Sequence, residues 1–270
     1  MAPIVWNDFL PMTSEMDWCE PNYAVTSYIA EFYNTISNLP LVILPIILII
    51  LNKEYSRRVS CGPNVIWGLV ITVGLGSTYF HGTLSRMGQL LDEVTISWVV
   101  HGTFALLIPR HMLPISLKGD RATVRNLMLL LAAIWSILAI IIPAVTPVIL
   151  QFLGIPCFYV HFRTMRRCDC PEVVKLGNRA GVIFLLATAC WLADQMFCPF
   201  WISINFPYLH SFFHILAAFA ACSSITSFVY IEAIEKVPEQ NPHLKYWPSN
   251  EWKVLSVPYI RFGEETKKSE

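Results

Sequence analysis

Charge is what this chain has little of. Asp, Glu, Lys and Arg supply 14% of its 270 residues, against about a quarter in soluble domains. That is too little to cover the surface of a water-soluble domain of this size. Lys and Arg (19) balance Asp and Glu (19), so the basic footprint of a nucleic-acid binder is missing. The apolar fraction of 55% and a mean hydropathy of +0.52 exclude a disordered chain, and the length excludes a small disulfide scaffold. There is no Asn-x-Ser/Thr sequon, no internal repeat and no low-complexity run. The first thirty residues lack both a basic residue and an apolar core, which argues against a cleaved signal peptide. What remains is an integral membrane protein.

A membrane-spanning helix needs about 20 mainly apolar residues. Fewer suffice where flanking polar side chains snorkel, and seven stretches are candidates: Phe32 to Asn52, Pro63 to Leu84, Gln89 to Pro109, Leu127 to Pro147, a short fifth at Val148 to Phe162, Ala180 to Phe197 and Phe206 to Ile231. They predict an all-α bundle of seven transmembrane helices over residues 32–231, with a segment 1–31 before it and a tail 232–270 after it. Lys and Arg stay on the cytosolic side of a membrane. With seven spans, only Arg86 of the 19 basic residues falls on the opposite side. The N-terminus is therefore expected to be lumenal or extracellular, and the C-terminus cytosolic.

Ionisable residues at membrane depth are costly, so each is a functional candidate. His81, Asp92, Glu93, Asp194, His210 and His214 all fall in the outer half of the predicted bundle. His101 alone sits at the midplane, where a packing role is the better expectation. His111, His161 and His243 are placed on the cytosolic side, out of reach of the outer cluster. His210 and His214 are four residues apart, so both imidazoles leave one helix face, as when a helix gives two ligands to one ion. Ser77 stands one turn before His81. Three neutral imidazoles with a fourth position open form a catalytic zinc arrangement, in which bound water reaches a pKa of about 7. Asp92 would take the proton or orient that water. Asp194 would either orient a histidine or tie helices together, and Glu93, pointing away from Asp92 on a helix, reads as structural.

Asp17, Glu20 and Asn22, followed by Glu31, gather hard oxygen donors without compensating Lys or Arg. The spacing is not that of an EF-hand, and taken alone it reads as a solvated acidic stretch. Cysteine placement is cleaner. Only Cys19 and Cys198 face the oxidising side, so a disulfide between them is the sole lumenal possibility.

These residues, taken together, resemble the alkaline ceramidases. The likeness is carried by Asp17-Trp18-Cys19-Glu20 with Asn22-Tyr23, by Ile29-Ala30-Glu31-Phe32 with Asn34, and by Gly76-Ser77 with Tyr79-Phe80-His81. Gln89-Leu90-Leu91-Asp92-Glu93 and His210 with His214 complete it. The resemblance implies a seven-helix hydrolase that cleaves the amide of ceramide to sphingosine and fatty acid. It implies zinc on His81, His210 and His214, with Asp92 as base and Ser77 stabilising the oxyanion. It also implies calcium on Asp17, Glu20, Asn22, Glu31 and the Trp18 carbonyl, which reverses the reading of the acidic stretch from spacing alone. Acyl chains would fill an apolar cavity lined by side chains such as Phe80, Trp98, Phe212 and Phe213.

The tail, with Pro238-Glu239-Gln240 and Tyr246-Trp247-Pro248, resembles the family's Golgi member. Lys267-Lys268-Ser269-Glu270 reads as a dilysine retrieval signal, so the Golgi or the endoplasmic reticulum is the expected address. The main competing reading is a lipid-sensing receptor of the adiponectin-receptor kind, whose expected topology is inverted. A G-protein-coupled receptor would show Asp/Glu-Arg-Tyr after span three, where this chain has Ile108-Pro109-Arg110. A transporter would need a polar path across the midplane.

Overall fold

The computed structural model describes residues 6–109, 113, 120–142, 146–253 and 256–263. A 3-10 turn at Trp6–Phe9 opens it. The helices are α1 (Phe32–Ile36), α2 (Leu39–Leu51), α3 (Lys53–Arg58), α4 (Gly62–Thr83), α5 (Arg86–Leu107), α6 (Arg121–Ile141), α7 (Thr146–Arg166), α8 (Pro171–Met196), α9 (Cys198–Ser203) and α10 (Leu209–Lys236), followed by strands β1 (Pro242–Trp247) and β2 (Val257–Phe262). Among the described residues, six helical stretches are long and apolar enough to cross a bilayer: 32–51, α4, α5, α6, α8 and α10. The 21-residue α7 is a further long helix.

Local chemistry sets the ends of these helices. Proline sits in the first turn of α2, α4, α8 and α9, where its missing N–H costs nothing. Leu84 closes α4 in the left-handed conformation at φ 50°. Ser85 then caps α5 by accepting from the Gly88 N–H at 3.0 Å, so α4 turns into α5 within two residues. Asp120 caps α6 through the Ala122 and Thr123 amides.

The close fit of α4 on α5 depends on two glycines. A Cβ on Gly88 would lie 2.7 Å from Phe80 Cα, and one on Gly76 would lie 3.2 Å from the Leu91 carbonyl carbon. Only a bare backbone permits this approach, which brings Ser77 on α4 against Asp92 on α5. The outer faces are apolar: Leu130, Ile134 and Ile137 on α6, and Val182 and Leu185 on α8, are exposed. Such faces belong in lipid.

Two expectations need correction. The first predicted span, Phe32 to Asn52, holds as a membrane-length stretch at 32–51, but it is interrupted inside: α1 ends at Ile36 and α2 begins at Leu39. The side chains of Ser37 and Asn38 bond the Asn34 carbonyl at 2.9 Å each, and this competes with continued helix. The tail is also not featureless, so the fold is mostly helical rather than all-α. β1 and β2 form an antiparallel hairpin, with Pro242 opposite Phe262 and Trp247 opposite Val257. It packs against α10 and is pinned to the bundle by polar contacts. The Asn52 side-chain oxygen Oδ1 accepts from Ile260 N–H at 2.9 Å, and Arg179 Nη2 donates to the Ser256 backbone carbonyl at 2.6 Å. The helix before the hairpin runs to Lys236, past the expected boundary at 231.

Asn52 is 2% exposed, so its loss strands the Ile260 amide. The variant Asn52→Ala should lose about 1–3 kcal/mol of stability, measured as a lower melting temperature in detergent micelles, with the helix content unchanged.

Candidate intramembrane metal site

Two helices bring the three histidines together. His81 ends α4, and His210 and His214 stand one turn apart at the start of α10. Their ligand atoms lie within 4.8 Å of one another, all three residues are buried, and they are the only such group among the described residues. The ring centroids are 5.0 Å (His81–His210), 4.8 Å (His81–His214) and 4.4 Å (His210–His214) apart.

Each ring is held from outside. His81 Nδ1 meets Glu31 Oε2 at 2.5 Å, and His214 Nδ1 meets Ser37 Oγ at 2.8 Å. His210 stacks on Trp18 with centroids 3.5 Å apart, and its backbone amide donates to Asp194 Oδ1 at 3.2 Å. His81 Nε2 and His210 Nδ1 are buried without a hydrogen-bonding partner. Buried ring nitrogens are seldom left so, and one ion among the three rings would satisfy them, so the group could hold a metal ion.

The other expected residues fall in two places. Ser77 hydrogen-bonds to the Asp92 carboxylate, and both line a cavity of about 380 Å³ together with His210 and His214. Asp17, Trp18, Asn22 and Glu31 form a second cluster beside the histidines. Glu31 Oε1 accepts from Trp18 N–H at 3.1 Å, Asn22 Nδ2 donates to Asp17 at 3.2 Å, and Asn34 Nδ2 donates to Glu31 at 3.1 Å. Glu20 accepts from the Tyr33 and Asn34 amides at 2.7 and 2.8 Å, capping α1 from a distance. Asn22 Oδ1 is buried without a partner. Burial pushes the Glu31 carboxyl up to about 8 and also raises Glu20, against the backbone amides that pull it down. A nearby cation works in the opposite direction.

Cys19 and Cys198 form a disulfide with their Cα atoms 5.3 Å apart, fastening the N-terminal segment to the start of α9. Asp194 proves to be a tie: its other oxygen accepts from Cys19 N–H at 3.1 Å, so it bonds backbone rather than an imidazole ring. Glu93 accepts from Gln89 Nε2 at 2.8 Å, a structural contact. Of the four aromatics expected around the cavity, Phe80 and Phe213 line it. Trp98 instead donates to Ser136 at 3.0 Å, and Phe212 is exposed. His161 is corrected as well: it is buried and lines the same cavity, because α7 carries it inside the bundle.

Sequence reasoning missed Ser37, Asn34 and the Glu31–His81 contact. Ser37 sits at the break between α1 and α2 and Asn34 one turn before it within α1, and hydropathy marks neither. Asn34 Oδ1 accepts from Ser211 Oγ at 2.7 Å, closing the seam.

A buried group of three imidazoles, opening on an apolar cavity among membrane-length helices, defines a polytopic membrane protein with an intramembrane candidate metal centre. The ceramidase family model matches residues 10–261, and this chain belongs to the alkaline ceramidase family of hydrolases. It is 43% identical over 257 residues to an alkaline ceramidase of Drosophila melanogaster, covering 95% of this chain and 90% of that protein. It is 31% identical over 259 residues to human alkaline ceramidase 1 (96% and 98%). An alkaline ceramidase of Caenorhabditis elegans is 31% identical over 255 residues (93% and 94%). This membership does not favour the receptor reading.

Of the 8 cysteines, the structure leaves 6 free. Alkylation of the unfolded, unreduced protein should label six, and prior reduction should raise the mass by two further labels. Eight labels without reduction would show the Cys19–Cys198 bond to be absent.

Proposed function

We propose that this protein is a zinc-dependent ceramidase, cleaving the amide of ceramide to sphingosine and a fatty acid. The observation that carries the reading is the buried three-imidazole group at one end of a cavity walled mainly by apolar side chains. The donor set fits zinc: three neutral imidazoles, two with buried nitrogens that lack partners, each ring braced by protein. Zinc bound there supplies Lewis acidity, polarising the amide carbonyl and acidifying water.

The chain's own residues do the rest. Asp92 accepts the proton of the attacking water and returns it to the amide nitrogen as the C–N bond breaks. Ser77 has one hydroxyl proton, spent on Asp92 in this structure. Once Asp92 is protonated it can donate to Ser77 Oγ, and the freed Ser77 O–H turns to the oxyanion. The apolar wall excludes bulk water and holds the acyl chain in line with its carbonyl.

Calcium is the second proposed ion, on Asp17, Glu20, Asn22, Glu31 and the Trp18 carbonyl. Three carboxylates stand together, and among the described residues no Lys or Arg pairs with any of them. The unpartnered Asn22 Oδ1 is a further hard oxygen donor. Glu31 touches both clusters, so calcium would set the position of His81.

Seven spans, with segment 1–31 lumenal, bundle 32–231 catalytic and tail 232–270 cytosolic, fit this reading. α7 supplies the helix beyond the six, and a disulfide at the histidine end belongs on the oxidising side of a membrane. The Golgi or endoplasmic reticulum is the proposed address. The Lys267-Lys268 signal that supports it lies outside the described residues.

Purified protein should hydrolyse labelled ceramide, and His214→Ala should reduce the turnover at least about a hundredfold while keeping its helix content. Turnover unchanged in that variant would remove the zinc mechanism. Chelating calcium should slow the wild-type protein and leave Asp17→Ala at its already lowered rate. A wild-type rate indifferent to chelation would contradict the calcium site.

A further inference from the structure

The cavity does not stay apolar to its far end. His101 on α5 and His161 on α7, with Ser97 and Ser224, line it too. His101 Nδ1 lies 2.8 Å from the Ser97 carbonyl oxygen and 3.1 Å from the Ser97 hydroxyl. A carbonyl oxygen only accepts, so Nδ1 carries the proton of the neutral ring and Nε2 is a bare acceptor. No hydrogen bond from a described residue reaches that nitrogen. Across the cavity, His161 Nδ1 meets Ser224 Oγ at 3.1 Å.

The two stations lie at matching depth. α5 and α10 both begin at the end that holds the metal-binding group. His101 follows Asp92 by nine residues and Ser224 follows His214 by ten. At the helical rise this is roughly 13–15 Å further in, about ten to twelve carbons of an extended alkyl chain. A polar side chain at membrane depth is costly, and Leu or Phe would fill the same wall without that cost.

We propose that His101 is a specificity-determining residue for the acyl chain: its Nε2 accepts a hydrogen bond from a hydroxyl carried about ten to twelve carbons from the scissile carbonyl. The inference rests on the ceramide reading and adds the chain chemistry to it. A hydroxylated chain satisfies the acceptor as it fills the cavity. A plain chain of the same length lays methylene against it and leaves it stripped of any partner. A chain of eight carbons stops short and meets neither case.

Three synthetic N-acyl sphingosines test this with the full-length purified protein: octanoyl, dodecanoyl and 12-hydroxydodecanoyl. Wild type should favour the hydroxylated chain over plain dodecanoyl by about tenfold in kcat/KM, the worth of one such hydrogen bond. In His101→Leu that ratio should fall to one or below, and His101→Gln, which keeps an acceptor, should recover part of it. The ratio is read within each protein, so a general loss of folded material does not shift it. A wild-type ratio near one, or equal ratios in wild type and His101→Leu, would overturn the inference and leave ceramide hydrolysis standing. Failure of wild type to cleave even the octanoyl amide would remove both.

Discussion

The contact between the Glu31 carboxylate and His81 Nδ1 holds the candidate site together. Glu31 is fully buried, and its oxygens also accept from the Trp18 amide and the Asn34 side chain. A carboxylate shut away from solvent, with no Lys or Arg paired to it among the described residues, is an expensive thing to place in a protein. It persists because two donors and an imidazole surround it. Through those bonds, the N-terminal segment, the start of α1 and the end of α4 meet at one point. Trp18 stacks on His210 from the same segment, and the Cys19–Cys198 disulfide fastens that segment to α9. The histidines are thus positioned from outside the bundle as much as from within it.

The helices contribute distance and dryness. Gly76 and Gly88 let α4 and α5 approach until Ser77 meets Asp92, and α10 carries two imidazoles on one face. The cavity below continues between α5, α7, α8 and α10, with lipid-facing side chains on the outside of the same helices. A reacting amide at the site end and an acyl chain in the cavity is the arrangement that this depth profile suits. The hairpin closes the opposite end, where Tyr55 donates to the buried Glu232 at 2.6 Å and the buried Tyr230 donates to Glu172 at 2.9 Å.

Much of this was legible in the sequence because membranes impose simple rules. Apolar length gave the helices, and the i, i+4 spacing of His210 and His214 gave one face of the site. The common depth of His81 and Asp92 gave the rest of the cluster, and cysteine placement gave the disulfide. The remainder required three-dimensional pairing. Hydropathy runs unbroken through Ser37 and Asn38, whose side chains bond backward to Asn34 and end the helix there. The tail strands are only six residues long and each carries a proline, Pro242 and Pro258, which demotes a strand signal, and the hairpin is pinned by Asn52 and Arg179 far away in the chain. His161 looked cytosolic because Arg163 and Arg166 follow it closely, yet α7 reaches Arg166 with the imidazole turned inward. The acidic stretch was ambiguous on spacing alone, since what distinguishes it, the approach of Glu31 to His81, has no sequence signature.

The account depends on one ion held by His81, His210 and His214. X-ray absorption at the zinc edge of the purified protein tests that most directly. The account predicts about one zinc per chain with three nitrogen ligands at roughly 2.0–2.1 Å and no sulfur. Protein active on ceramide yet free of zinc, or zinc with sulfur at about 2.3 Å, would contradict it.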